Sequence, residues 1–219
     1  MHRSPEMRLK SLSAAIVSVS VLALPVLSGC SSVSENAAGQ CAECRTLRGT
    51  GLQVSSYRFE GKAGVRKSGP DGGSASFRFV WTGTSRGSLS FRGVHFTGKS
   101  FEISAGTGGT FVRDTDGTVT EFDSESALEK RFGVPLRKLS SWAMGNGEGA
   151  DAKYEGEHLK SLRSGAWQAE FVSYGNFGGL DLPREITLKG DGSFVKVMIS
   201  KASFVLEDGS ERGGSAAGE

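Results

Sequence analysis

Residues 93–100 read Gly93-Val94-His95-Phe96-Thr97-Gly98-Lys99-Ser100, GVHFTGKS, and match the G-x-x-x-x-G-K-[ST] pattern of a nucleotide-binding P-loop letter for letter. A P-loop needs a strand before it and a helix after it, so that backbone amides at the helix N-terminus cradle phosphates while the lysine reaches the terminal one. Here the next residues are Phe101-Glu102-Ile103-Ser104, apolar and polar in strict alternation, which is the signature of a strand. The segment therefore joins strand to strand, and the sequence reads as antiparallel hairpins rather than as a parallel nucleotide-binding fold. With 32 glycines among 219 residues, the pattern arises by chance in about 4% of chains of such composition.

The same alternation extends in both directions. Upstream, Tyr57, Phe59, Gly61, Ala63 and Val65 alternate with polar neighbours such as Arg58, Glu60 and Lys62, as expected of a strand with one buried face. Ala75, Phe77, Phe79 and Trp81 share a face of the next run, followed by Leu89 and Phe91, then Phe101 and Ile103, with short glycine, serine or aspartate connections that make hairpins. Asp114-Thr115-Asp116-Gly117 is a turn signal between residues 110–113 and 118–122. The period then changes: Ser124 caps a short helix that runs through Phe132 and stops at Gly133, and Pro135 starts a second one carrying Leu136, Leu139 and Trp142. Strands resume near residues 157–163, turn at Ser164-Gly165 and continue through Trp167, Ala169 and Phe171. A last pair, residues 185–188 and 194–200, hinges on Asp191-Gly192. The expected class is mainly β, a barrel-like curved antiparallel sheet of roughly ten strands with helices inserted in its middle.

The N-terminus carries Arg3, Arg8 and Lys10 ahead of an apolar run over residues 14–27, too short and too serine-rich for a comfortable membrane span. It reads as a secretory signal peptide. It ends at Leu27-Ser28-Gly29-Cys30, which resembles the lipobox of bacterial lipoproteins; residues 1–29 are then the signal peptide and Cys30 the acylated first residue of the mature chain. Ser31 stands where an aspartate would favour inner-membrane retention of such lipoproteins, so outer-membrane sorting is implied. Removing Arg3, Arg8, Lys10 and Glu6 with the signal peptide reduces 26 basic and 24 acidic residues to 23 of each. A balanced chain without a basic cluster in any short window lacks the cationic field that nucleic-acid binding uses, so nucleic acid is not an expected partner. Residues 30–50, rich in Ser, Gly, Ala and Asn, suit a flexible tether. Residues 51–206 make one domain, and residues 207–219 read as a flexible tail.

Few residues here invite chemistry. Cys41 and Cys44 form a C-x-x-C that could be a redox pair, half of a metal site or a local disulfide. A redox role needs a βαβ context, and zinc needs further ligands that the distant His95 and His158 do not supply, so an incidental disulfide is favoured. No metal and no other cofactor is expected. Gly83-Thr84-Ser85-Arg86-Gly87 matches the G-x-S-x-G nucleophile elbow, but that elbow joins a strand to a helix and this segment joins strand to strand. His95 reads as a solvated loop residue beside Phe96 and His158 as the start of a strand, which leaves no catalytic constellation and no expected enzymatic activity.

Blocks along the chain resemble the LolB family of outer-membrane lipoprotein receptors in order and spacing. They are Phe59-Glu60-Gly61-Lys62-Ala63-Gly64-Val65-Arg66, Ser74-Ala75-Ser76-Phe77-Arg78-Phe79-Val80-Trp81, Leu139-Ser140-Ser141-Trp142-Ala143-Met144-Gly145, Gly165-Ala166-Trp167-Gln168 and Leu182-Pro183-Arg184-Glu185-Ile186-Thr187-Leu188. The resemblance implies an incomplete antiparallel β-barrel with an apolar cavity and inserted lid helices. It also implies a monomer, anchored by lipid at Cys30 to the outer membrane and facing the periplasm. Such a protein takes lipoproteins from the periplasmic carrier LolA and inserts them into outer-membrane phospholipid without ATP. The chain departs from the family at residues 94–98, where many members carry Pro-Leu-Gly, and at Phe204, near which many carry tryptophan.

On this reading the acyl-chain cavity is lined by the inward residues Phe77, Phe79, Trp81, Leu89, Phe91, Phe101 and Ile103, with Trp142 on a lid helix and Trp167 opposite. The membrane-insertion loop is GVHFTGKS itself, with Phe96 and Val94 entering the headgroup boundary. The alternative is a structural or assembly lipoprotein whose barrel is packed solid and whose partner is a protein.

Overall fold

The computed structural model describes residues 46–69, 72–190 and 192–216. The signal peptide, Cys30, Cys41 and Cys44, and the turn residue Asp191 lie outside them.

One helical turn, α1 (Leu47–Thr50), leads into a meander of β1 (Val54–Lys67), β2 (Gly73–Thr84), β3 (Leu89–His95), β4 (Ser100–Gly106), β5 (Gly109–Asp114) and β6 (Val119–Phe122). Helices α2 (Glu125–Phe132) and α3 (Leu136–Ala143) follow. A second meander then runs through β7 (Asp151–Glu155), β8 (His158–Ser164), β9 (Trp167–Phe177), β10 (Leu180–Gly190), β11 (Ser193–Leu206) and β12 (Glu211–Ser215). Antiparallel pairing of β1 with β11 joins the meanders into a 12-stranded sheet in the order β6-β5-β4-β3-β2-β1-β11-β10-β9-β8-β7, with β12 added to β11. In this order β6 and β7 are the edges, and α2 and α3 form the connection between them. The barrel is thus incomplete, and its helices sit in the chain where its wall is open.

Curvature has identifiable sources. The β1–β11 register shifts between Glu60 and Gly61, and a Cβ at position 61 would collide with the Met198 carbonyl, so the bulge needs glycine. In β10, Pro183 precedes a second irregularity at Glu185, where a residue without an N–H is tolerated. Alternation survives these shifts: Phe59, Trp81, Phe91, Ile103, Val195 and Ile199 are all buried on the concave side.

The helices start and stop as their sequence dictates. The Ser124 hydroxyl accepts from the Ala127 N–H at 3.2 Å, and Gly133, at φ 65°, donates to the Glu129 carbonyl at 2.6 Å and ends α2.

Three elements were not expected, and two boundaries move. The tether expected over residues 30–50 stops short of α1: Thr46 caps the helix and donates to the Glu157 carboxylate at 3.3 Å, Leu47 is buried, and the Arg48 guanidinium lies 4.1 Å over the Tyr154 ring. Within the flexible tail expected over residues 207–219, the chain instead turns at Asp208-Gly209 and β12 pairs with residues 201–205 of β11. The Asp208 side chain accepts from the Ser210 N–H and hydroxyl, which hold its carboxyl below the usual range. β12, Glu-Arg-Gly-Gly-Ser, has no apolar face to read, and glycine at 213 is required because a Cβ would strike the Ala202 carbonyl. β7 presents Asp151, Lys153 and Glu155 to solvent, the charge pattern of a protected edge. Leu47 of α1 and Ala216 after β12 both pack into the core, and a chain of residues 31–219 contains that core.

Candidate functional site

The concave side of the sheet divides into two halves of different character. Under β8, β9 and β10 the inward residues close on one another: Leu159, Phe177, Leu180, Ile186 and Leu188 are wholly buried, and α3 packs against β10. Under β1 to β4 and β11 they do not, and a cavity of about 830 Å³ remains. Its wall is Ala63 and Val65 of β1, Phe77, Phe79 and Trp81 of β2, Phe91 of β3, Phe101 and Ile103 of β4, and Val195 and Val197 of β11. Phe132 closing α2, and Leu136 and Leu139 of α3, cover it.

Aromatic contacts set the wall. The rings of Phe79 and Phe91 stack at 5.5 Å, Phe77 meets Phe91 edge-on at 6.0 Å, and Phe101 stacks on Phe132 of α2 at 5.6 Å. Phe132 therefore holds the end of α2 against the sheet at the cavity. The Lys67 ammonium helps by donating to the carbonyls of Lys130 and Arg131 at 2.9 and 3.3 Å, a cation placed at the helix C-terminus.

Charged residues of the lining, Lys67, Lys99, Arg131, Asp114 and Asp116, sit at strand ends, in turns or at the end of α2, so the interior wall is apolar and the mouth polar. Among the described residues no three of His, Cys, Asp or Glu gather closely enough to hold a metal ion.

Of the residues expected in the lining, Phe77, Phe79, Trp81, Phe91, Phe101 and Ile103 are brought together there. Leu89, Trp142 and Trp167 are not. Leu89 is buried at the far end of β3 from the mouth, opposite Ala105. Trp142 is buried on α3 away from the lining, where Leu136 and Leu139 stand instead. Trp167 lies in the packed half, against the backbone of Gly190, where a Cβ would meet its ring. Helical spacing marks Leu136, Leu139 and Trp142 alike as buried but does not say which faces the void. The lining by Phe132, Val195 and Val197 went unseen for the same reason.

The segment GVHFTGKS is a β-hairpin end. β3 runs to His95, the chain turns through Phe96-Thr97-Gly98, and β4 starts at Ser100; the Gly98 N–H donates to the His95 carbonyl at 2.9 Å. Both motif glycines have local reasons. Gly98 takes φ 86°, and a Cβ at Gly93 would collide with the Phe101 ring that lies across it. The Thr115 hydroxyl accepts from the Ser100 N–H at 2.7 Å and donates to the Ser100 carbonyl at 2.6 Å, bracing the hairpin from the next turn. At its tip Phe96 is 68% exposed, and Val94 is 38% exposed on the convex side. His95 is not the solvated loop residue expected: half-buried at the mouth, its ring packs on Phe77 and Phe101 at 5.7 and 5.8 Å. With no helix to supply amides, the wild-type protein is expected to show no saturable ATP binding, and Lys99→Ala to bind no less. Micromolar ATP binding lost in the variant would overturn this assignment.

Gly83–Gly87 likewise turns from β2 to β3, with the Gly87 N–H donating to the Thr84 carbonyl at 3.0 Å. Ser85 and His95 are at opposite ends of β3. His158 opens β8, and its Nε2 lies 2.7 Å from Asp181 Oδ2 on β10. The Tyr174 ring of the intervening β9 rests 4.2 Å away, and its hydroxyl donates to the Leu159 carbonyl; burial pushes that phenol above the usual tyrosine range. This trio ties strands together within the packed half.

No curated protein matches the chain. Among solved structures it is similar to a DUF1329 family protein from Desulfovibrio piger, at 11% identity over 68% of this chain and 85% of that one, with a TM-score of 0.42. It is also similar to a LolA superfamily protein from Nitrosomonas europaea (8% identity, 68% and 86% of the chains, TM-score 0.44). A third is a putative outer membrane lipoprotein-sorting protein domain from Vibrio parahaemolyticus (7% identity, 68% and 85%, TM-score 0.40). Residues 55–201, which span the cavity wall, both lid helices and the exposed hairpin, match the family model of the outer membrane lipoprotein LolB, and the chain belongs to that family.

Proposed function

We propose that this protein is the receptor that takes lipoproteins from the periplasmic carrier LolA, holds their acyl chains in the cavity and inserts them into the outer membrane, to which Cys30 anchors it on the periplasmic side. The observation that carries this reading is the pairing of an 830 Å³ apolar cavity, polar only at its mouth, with an exposed phenylalanine on a hairpin at that mouth. A triacylated protein has about 45 chain methylenes, and at about 0.8 kcal/mol each, exposing them to water costs on the order of 35 kcal/mol. Such a client cannot diffuse freely. It must pass from one apolar site to another, and a receptor that binds the chains more tightly than the carrier and less tightly than the bilayer moves them without ATP. That task needs a void, a cover and a membrane contact, and no bond-making residue. The void is where β1 to β4 and β11 stand clear of the lid helices, Phe132 with Leu136 and Leu139 is the cover, and Phe96 with Val94 is the contact.

The test is acceptance by a chain of residues 31–219. Because the cavity and not the anchor holds the chains, this anchor-free protein is expected to remain soluble and to take a lipoprotein from the carrier. Loss of acceptance in the folded, anchor-free protein would overturn the proposal. Failure of an environment-sensitive apolar dye to bind saturably would favour the packed structural lipoprotein instead.

A further inference from the structure

The convex face of the sheet carries a cluster that the cavity does not use. Met198 of β11, Lys62 of β1, Arg78 of β2 and Val94 of β3 lie directly opposite one another in a single row across the strands. Lys62 facing Arg78 is a like-charge pair, which weakens a sheet rather than supporting it. In the next row Arg92 of β3 stands opposite Val80 of β2, and Arg184 approaches from β10. Together they border a groove of about 500 Å³. Of the carboxylates nearby, Glu60 on the rim is engaged by the Arg58 guanidinium at 2.9 Å, and Glu102 of β4, opposite Arg92, accepts from the Ser90 hydroxyl at 3.4 Å. Among the described residues, Lys62, Arg78 and Arg92 make no ion pair, and all of them are exposed. Met198 and Val94, 41% and 38% exposed, flank the cations, and Val94 lies two residues from Phe96.

We propose that this groove docks on an anionic phospholipid surface, with lipid phosphates seated on Lys62, Arg78 and Arg92 while Val94 and Phe96 enter the headgroup boundary. The inference rests on the reading of the hairpin as the membrane contact. The Cys30 anchor keeps the protein at the membrane without orienting it; an apolar wedge alone engages a bilayer weakly and reversibly, and a polybasic patch beside it holds this face against the headgroups. The continuity of cations, exposed aliphatic side chains and hairpin tip matches the layering of a lipid surface, with anionic phosphates outermost and the apolar boundary beneath them. Each basic residue near an anionic surface strengthens binding about fivefold, so three of them amount to about a hundredfold, lost as salt screens them.

The experiment uses residues 31–219 and sedimentation with vesicles of phosphatidylcholine alone or with a quarter phosphatidylglycerol. The wild-type chain is expected to prefer the anionic vesicles about a hundredfold at low salt. Lys62→Gln/Arg78→Gln/Arg92→Gln should abolish that preference without changing binding to phosphatidylcholine or the melting temperature, and Arg78→Gln alone should lower it about fivefold. An unchanged preference in the triple variant overturns the proposal. So does a triple variant that binds vesicles normally but no longer accepts lipoprotein from the carrier, since the groove would then dock an acidic protein. Phe96→Glu should weaken binding to both kinds of vesicle. If it weakens neither while the triple variant loses its preference, the wedge reading fails and the cationic groove stands.

Discussion

Ala63→Glu is expected to abolish uptake of acyl chains while leaving the protein folded. Ala63 sits midway along β1, opposite Phe77 on one side and Val197 on the other, and all three line the cavity. In the empty protein a carboxylate here projects into open space that communicates with the polar mouth, so it need not be stripped of water. Filling the cavity with methylenes removes that water, and an unpaired carboxylate in apolar surroundings costs several kcal/mol. At 1.4 kcal/mol per factor of ten, dye binding and lipoprotein acceptance should fall by about a hundredfold or more. Ala63→Gln, with the same shape and no charge, should fall by much less, which separates charge from volume. Unchanged dye affinity in Ala63→Glu, with an unchanged melting temperature, would place the bound chains elsewhere.

This asymmetry between one half of the barrel and the other could not be read from the sequence. Alternation of Phe77, Phe79 and Trp81 fixes the face they share, and alternation of Trp167, Ala169 and Phe171 does the same, but period two carries no information about what lies opposite. Whether an inward face meets packed side chains or a void depends on where α3 settles, and it settles against β10. That placement puts Trp167 and Trp142 in dry core and leaves Phe77 and Phe91 facing space. Local signals were legible where local physics decides: Ser124 and Gly133 delimit α2, and Phe101-Glu102-Ile103 following GVHFTGKS excludes a P-loop. β12 was hidden because backbone pairing with β11 holds it, and its Gly213-Gly214 carries no apolar pattern. The basic groove was hidden for a different reason. Lys62, Arg78 and Arg92 are far apart in sequence, and no short window contains a cluster; only the register of β1, β2 and β3 assembles them.

Phe96→Glu separates the two halves of the proposed task. Phe96 is at the hairpin tip and outside the cavity lining, while the neighbouring His95 and Lys99 belong to the mouth. A carboxylate at 96 should therefore leave the loading of lipoprotein from the carrier unchanged. Delivery should suffer, because an apolar side chain gains about 1.5 to 3 kcal/mol on leaving water and a charge at that position reverses the preference. Insertion into liposomes is expected to slow by tenfold or more. Loading and delivery are measured separately, first by capture of lipoprotein on purified wild-type and variant protein, then by the fraction that becomes liposome-bound. Equal loading with slow delivery is the expected result. Equal delivery would show that the exposed ring is not the wedge, and failed loading would place Phe96 in the contact with the carrier. Failed loading would not place the ring in the cavity, because His95 turns inward onto Phe77 and Phe101, and Gly98 turns the chain back into β4, so the tip between them projects away from the cavity wall.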